Sequence, residues 1–173
     1  MSTFERISAW DEAILLRVSR WQQPGLTRVL RAVTHLGDWH SLSFVGAVLL
    51  LAGQHETQRL GELLGLAAGG AAALAQVLKR WLRRPRPTSG VAGFTALVAN
   101  PDAFSFPSGH TAAMVALALA WAGEATPLGA TLAALAGAVA FSRVYLGAHY
   151  PLDVMVGSVL GLMTGSLARL LVS

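Results

Sequence analysis

Three short stretches of this chain concentrate side chains that could handle a phosphate. The first holds Lys79, Arg80, Arg83, Arg84 and Arg86, with Pro85 and Pro87 stiffening the backbone around Arg86. Arginine offers a planar fork matched to two oxyanion oxygens, and lysine a mobile point charge. A basic flank of an apolar helix has the same composition, so this stretch alone does not define a site. The second is Phe106-Pro107-Ser108-Gly109-His110. Ser108 is a suitable helix N-cap. Free N–H groups at a helix start make an anion site, and Gly109 lets a phosphate come close. The third is Ser142-Arg143 followed by His149 and Asp153. If Pro151 opens a helix, His149 and Asp153 share one side. The carboxylate can then hold one ring nitrogen and compensate imidazolium charge, leaving the other nitrogen free to attack phosphorus. A buried, mutually satisfied pair is the structural alternative. Ionisable groups this near a membrane interior are costly, which favours chemistry. His110, His149 and Asp153 could instead form a facial metal triad. The surplus of Arg and Lys would repel a divalent cation and suits a tetrahedral oxyanion, so no metal is expected.

The elements that must position these residues follow from composition. The chain has 173 residues, 54% hydrophobic and 13% charged, against roughly 25% charged for a soluble domain. Ala, Leu and Gly dominate, and the alternation of a membrane β-barrel is absent. The fold class is therefore all-α, an integral membrane helical bundle. One domain is expected over 1–173, with interfacial amphipathic helices in 1–39 and a transmembrane catalytic bundle of about five helices in 40–173. The absence of cysteine excludes disulfides and thiolate chemistry. The first residues lack a basic stretch leading into an apolar run, so no cleavable signal peptide is expected. The net charge of +4 suits anionic headgroups or a phosphorylated substrate. No nucleic acid partner is expected, since the basic residues border apolar spans.

Along 1–39, Ile7, Trp10, Ile14, Leu15 and Val18 recur at helical spacing, as do Leu26, Val29, Leu30 and Val33. Two amphipathic helices broken at Pro24-Gly25 fit that pattern, with Trp10, Trp21 and Trp39 at headgroup level. Spans follow at 42–53 (39–54 with flanks), 60–78, 109–122, 128–144 and 152–171. A polar turn is expected at 55–59, a long loop over 80–106 and a short link at 123–127, which makes the third and fourth spans antiparallel neighbours. Gly93 and Pro101 are among the loop's breakers. Five spans put 1–39, 80–106 and 145–151 on one face, and all three clusters with them. Gly61, Gly65 and Gly69, like Gly157, Gly161 and Gly165, fall four apart and let backbones approach closely. Packing within the bundle is favoured for these faces over a homodimer.

Together the clusters resemble the signature of the type 2 phosphatidic acid phosphatase superfamily: Lys-x6-Arg-Pro, Pro-Ser-Gly-His and Ser-Arg-x5-His-x3-Asp, all present in order. With the stretch Thr34-His35-Leu36-Gly37 and the span layout, the match covers roughly 26–165. The resemblance implies that His149 becomes a phosphohistidine, Asp153 orients it, and His110 protonates the leaving oxygen and then activates water. Lys79, Arg86, Arg143, the Ser108 hydroxyl and the Gly109 N–H would stabilise the phosphoryl oxygens. No cofactor is implied. The implied substrate is a membrane lipid phosphate or pyrophosphate, of the polyprenyl pyrophosphate, phosphatidic acid, phosphatidylglycerophosphate or lipid A type. Vanadium haloperoxidases share the constellation, but the apolar spans and short chain count against them. A non-catalytic lipid-phosphate binding or transport protein is the alternative. Many bacterial members have six spans; five are expected here, with only the amphipathic segment 1–39 ahead of them. Arg80, Arg83 and Arg84 exceed the motif and are expected to snorkel. The cations gather on the active face, so charge bias would place it in the cytoplasm. The resemblance implies a multi-pass protein of the bacterial cytoplasmic membrane with an outward, periplasmic active face, which is the expectation adopted.

Overall fold

The structure, a computed structural model, describes residues 3–92, 94–99, 102–122 and 127–172. Two helices, α1 (Thr3–Ser19) and α2 (Pro24–Thr34), form where the amphipathic pattern places them. The break falls at 20–23, and Pro24 opens α2, where its fixed φ and missing N–H do no harm. α1 is docked as well as amphipathic: Asp11 and Leu15 are fully buried, while Ile7, Trp10 and Trp21 stay exposed. α2 is tied to the bundle through Tyr145, whose hydroxyl accepts the Gln23 N–H at 2.9 Å and meets the Thr27 hydroxyl at 3.1 Å.

The first apolar helix is α3 (Trp39–Leu51). The polar turn expected at 55–59 is not a turn. Those residues begin α4 (His55–Leu64), with Glu56 in its first turn, where a negative charge suits the helix dipole. The chain reverses just before, at Gly53, whose φ of +72° is accessible to glycine without a side-chain clash. α4 passes through a π-helical segment, Gly65–Gly69, into α5 (Gly70–Leu82). The second span is thus one helix of 28 residues, His55–Leu82, longer at both ends than the 60–78 expected. α5 closes at Arg83 in left-handed conformation, its N–H bonded to the Lys79 carbonyl at 3.0 Å. The loop expected from residue 80 therefore begins later. It carries a single turn, α6 (Pro87–Gly90), and an isolated antiparallel bridge between Pro85 and Phe104. α7 (Gly109–Trp121), α8 (Pro127–Tyr145) and α9 (Pro151–Val172) each end within about one residue of expectation, inside the usual spread of helix boundaries. The link at 123–127, apart from Pro127, and the breakers Gly93 and Pro101 lie outside the described residues.

The chain is an all-helical membrane bundle. His55–Leu82, Pro127–Tyr145 and Pro151–Val172 are long and apolar enough to cross a membrane; α3 and α7 have 13 residues each. At 1.5 Å per residue these two reach about 20 Å, short of a hydrocarbon core of about 30 Å. The chain leading into α7 is itself packed inside, with Ser105, Pro107 and Ser108 buried.

α7 is the central helix. Ala67, Ala71, Ala112, Ala116, Ala120 and Leu160 join α9, α5 and the π segment to it, and Met114, Leu117, Leu132, Ala136 and Val139 join it to α8. The glycine stripe of α9 is a packing face. A Cβ at Gly157, Gly161 or Gly165 would lie 2.6, 2.5 or 2.6 Å from the carbonyl oxygens of Ser108, Ala112 and Ala116. The other stripe is mixed: a Cβ at Gly61 would lie 2.8 Å from Leu50 Cγ, while one at Gly65 or Gly69 would meet nothing within 4 Å. Gly161→Leu is therefore expected to lower stability by about 3 kcal/mol or more, because the obstacle is backbone. Gly69→Ala should leave stability unchanged or slightly raised. Thermal unfolding of both variants in detergent checks this contrast, and equal midpoints would contradict the packing account.

Candidate active site

The turn after α8 fixes His149. Gly147 has φ +74°, and a Cβ there would lie 2.7 Å from the Phe94 ring. The N–H groups of Ala148 and His149 both return to the Arg143 carbonyl, at 3.0 and 3.1 Å. Arg86 Nη1 donates to the Ala148 carbonyl at 2.6 Å. The His149 side chain is buried, 1% exposed. Asp153, in the first turn of α9, places Oδ2 3.6 Å from His149 Nδ1. This is the expected side of the ring, but the gap is too long for a hydrogen bond. Nearer donors hold the carboxylate: the Tyr150 N–H reaches Oδ2 at 2.9 Å, and Arg84 Nη1 reaches Oδ1 at 2.7 Å. Asp153 therefore acts on the imidazole through its field. With Nδ1 towards Asp153, Nε2 is the ring nitrogen turned away. Burial holds the His149 ring well below its ordinary pKa, and Arg143, Arg86, Lys79 and His110 push the same way. These effects favour the neutral form of the ring.

Arg84 corrects the expectation of snorkelling. Its guanidinium also bonds buried Asp11 of α1 at 2.6 Å. Arg80 and Arg83 do remain exposed.

His110, the second residue of α7, sets Nε2 2.6 Å from Asp38 Oδ1, and Asp38 Oδ2 lies 2.6 Å from His35 Nδ1. Burial raises the Asp38 carboxyl, but the bonds from His35 and His110 outweigh it and leave it below its ordinary pKa. Gly37 admits the His110 ring, since a Cβ there would lie 3.1 Å from His110 Cβ. Each histidine thus faces a carboxylate of its own. Asp38 is absent from the sequence-based site. Its cue was an acidic residue heading an apolar helix, next to Thr34-His35-Leu36-Gly37.

The cations form a cradle. Lys79 Nζ donates to Asp102 Oδ2 at 2.9 Å, Arg86 Nη2 to Asp102 Oδ1 at 2.5 Å, and Arg86 Nε to the Asp102 carbonyl at 2.8 Å. Burial raises the Asp102 carboxyl, but Lys79 and Arg86 bring it below its ordinary value. Asp102, too, was missed from the sequence. Arg143 Nη1 donates to the Thr34 hydroxyl at 2.7 Å, while its Nε is buried with no hydrogen-bond partner among the described residues. Ser108 occupies the N-cap position of α7, yet its hydroxyl pairs with the Thr111 hydroxyl at 2.9 Å rather than with a helix N–H.

Lys79, Arg86, Asp102, Gly109, His110, Arg143 and His149 line one cavity of about 130 Å³, and Ser108 and Asp153 are not among its lining residues. An apolar groove of about 370 Å³ runs between α3 and the π segment, over Gly65 and Gly69. Cavity and groove share Trp39, Leu42 and Ala72. Among the described residues no group of three or more His, Asp or Glu could hold a metal ion. The alternative triad is not assembled, since His110 faces Asp38 and Asp153 faces Arg84.

A neutral buried imidazole, a second histidine and three cations around one small cavity, beside an apolar groove in a helical membrane bundle, fit a membrane phosphatase. Residues 61–173 match the PAP2 superfamily, and the chain belongs to that family. It is 34% identical over 171 residues to the decaprenylphosphoryl-5-phosphoribose phosphatase of Mycobacterium tuberculosis, covering 94% of this chain and 91% of that one. It is 33% identical over 172 residues to phosphatidylglycerophosphatase B of Bacillus subtilis, covering 91% and 80%. The crystal structure of a transmembrane PAP2-type phosphatidylglycerolphosphate phosphatase from Bacillus subtilis superposes with a TM-score of 0.79 at 29% identity, covering 96% of this chain and 86% of that one. The chain is a lipid-phosphate phosphatase of a bacterial membrane.

Proposed function

We propose that the enzyme cleaves a terminal phosphomonoester from a lipid-linked polyol phosphate through a phosphohistidine. One observation carries the reading: His149 and His110, each facing its own carboxylate, open into one cavity with Lys79, Arg86 and Arg143. The His149 nitrogen turned from Asp153 attacks phosphorus and the ester P–O bond breaks. His110 gives a proton to the leaving oxygen from the nitrogen that Asp38 does not hold. Water then attacks phosphorus, His110 takes its proton, and inorganic phosphate leaves. Lys79, Arg86, Arg143 and the N–H groups opening α7 stabilise the phosphoryl oxygens throughout.

The substrate class rests on two relatives. In decaprenylphosphoryl-5-phosphoribose and in phosphatidylglycerophosphate, the outer phosphate sits on a small polyol that a second phosphoryl group ties to the lipid. The apolar groove beside the cavity suits the lipid chain, and Trp39, Leu42 and Ala72 form the seam between chain and headgroup. The active face is read as outward. Charge bias towards the cytoplasm loses weight because Lys79, Arg86 and Arg143 line the cavity, Arg84 pairs with Asp11 and Asp153, and Arg31 donates to the Leu97 carbonyl.

Phosphate release in detergent with EDTA tests this. The panel is a phosphatidylglycerophosphate, a phosphatidic acid and a polyprenyl diphosphate, with alkaline quenching to preserve a phosphoramidate. The expected result is EDTA-resistant release, fastest from the polyol phosphate, with label on His149. Release that EDTA abolishes, or label on another residue, overturns the mechanism. Faster release from phosphatidic acid overturns the substrate class.

A further inference from the structure

The strongest feature left unexplained by that chemistry is a chain of charges behind His149. Asp11 of α1 is fully buried. Its Oδ1 accepts the N–H of Leu152, at the start of α9, at 2.8 Å, and its Oδ2 accepts Arg84 Nη2 at 2.6 Å. The other end of the same guanidinium holds Asp153 Oδ1 at 2.7 Å. Arg84 lies over the Tyr150 ring, 4.1 Å from its centre, and its carbonyl accepts the Ser105 N–H at 2.9 Å. Side chain and backbone are therefore both pinned. Asp11 lies outside the residues matched to the family, 61–173.

We infer that Arg84 and Asp11 are positioning residues for the Asp153–His149 pair, so that the docking of α1 sets the reactivity of the nucleophile. Two physical effects combine. Arg84 on Oδ1 and the Tyr150 N–H on Oδ2 fix the rotation of the Asp153 carboxylate, which keeps Oδ2 facing the imidazole. Charge balance is the second effect. Alone, Arg84 would cancel Asp153 and leave no field to stabilise positive charge on the ring. Asp11 shares the guanidinium, so the Asp11–Arg84–Asp153 set keeps one net negative charge beside His149. A lysine at position 84 is a single point charge and cannot fork between two carboxylates. An asparagine at position 11 keeps the shape and loses the charge.

The inference rests on His149 as nucleophile, so the test separates the two. Asp11→Asn, Arg84→Lys and His149→Ala are purified in detergent beside the wild type. Each is assayed for thermal midpoint, alkali-stable phosphoenzyme, kcat and KM on a phosphatidylglycerophosphate. Asp11→Asn and Arg84→Lys are expected to lower kcat per folded molecule by about 10- to 100-fold, the usual cost of removing an outer partner of a functional histidine. KM should stay within about two-fold, because neither residue lines the cavity. The double variant should lose much less than the product of the single losses, as expected of one coupled unit. A purely structural role would lower the midpoint and leave kcat per folded molecule at the wild-type value, and that result overturns the inference. Should Asp11→Asn not fold, Arg84→Lys alone decides by the same criterion. Retained activity in His149→Ala overturns the nucleophile assignment instead, whatever the other variants do.

Discussion

Replacing His149 by alanine is expected to lower kcat by about 10⁴-fold or more, the scale seen when the nucleophile of a covalent mechanism is removed. The loss corresponds to about 5 kcal/mol of barrier. Among the described residues, no hydroxyl or thiol near the cavity is placed to take over. The chain has no cysteine, the Ser108 hydroxyl is buried against Thr111, and the Thr34 hydroxyl accepts from Arg143. The alanine variant keeps the cradle of Lys79, Arg86 and Arg143, so it should still bind substrate, with KM changed far less than kcat. Single-turnover phosphate release and alkali-stable labelling check both halves. A variant that still forms a phosphoenzyme would show that another residue attacks phosphorus. One that turns over near the wild-type rate without label would show direct attack by water.

The same residues show what the sequence reveals and what it hides. Lys79, Arg86, Gly109, His110, Arg143 and His149 were legible as one group, and they line one cavity, because a phosphate site restricts residue type and helix geometry restricts spacing. The spans at 109–122, 128–144 and 152–171 were legible for a similar reason, since uninterrupted apolar runs between prolines have few other folds. The partner carboxylates were not. Asp38 meets His110 across 72 residues, Asp11 meets Arg84 across 73, and Asp102 meets Lys79 across 23. Such pairs are made by tertiary packing, and an isolated aspartate carries no local pattern that separates partner from surface charge. Arg84 was misjudged for that reason, because snorkelling is the default only while no buried acid is known. The stretch 55–59 was misjudged in another way. Its polarity suggested a turn, but a helix end beyond an apolar span is free to be polar, and the actual reversal needed only Gly53. The π segment at Gly65–Gly69 left no trace either, since a run of Gly, Leu and Ala satisfies α and π geometry alike. It forms part of the wall of the groove that shares Trp39, Leu42 and Ala72 with the cavity lined by His110 and His149.

Replacing His110 by glutamine is expected to split the two steps of the reaction. A lipid alkoxide is a poor leaving group and needs a proton as the P–O bond breaks. Loss of that proton should slow release from a lipid phosphomonoester by about 10²- to 10⁴-fold, the range for general acid–base catalysis. An aryl phosphate has a leaving group that departs without a proton, so phosphorylation of His149 by p-nitrophenyl phosphate should survive in the variant. Hydrolysis of the phosphohistidine still needs a base for the attacking water, and glutamine is none. The variant should therefore give a burst of nitrophenol equal to the enzyme present, then a slow phase, with phosphoenzyme accumulating. Asp38→Asn should move both steps in the same direction by less, because it removes the charge behind His110 and leaves the ring in place. Equal losses on lipid and aryl substrates, with no burst, would remove His110 from the role of acid. The cavity's second histidine would then belong with Lys79, Arg86 and Arg143 as one more donor to the phosphoryl oxygens.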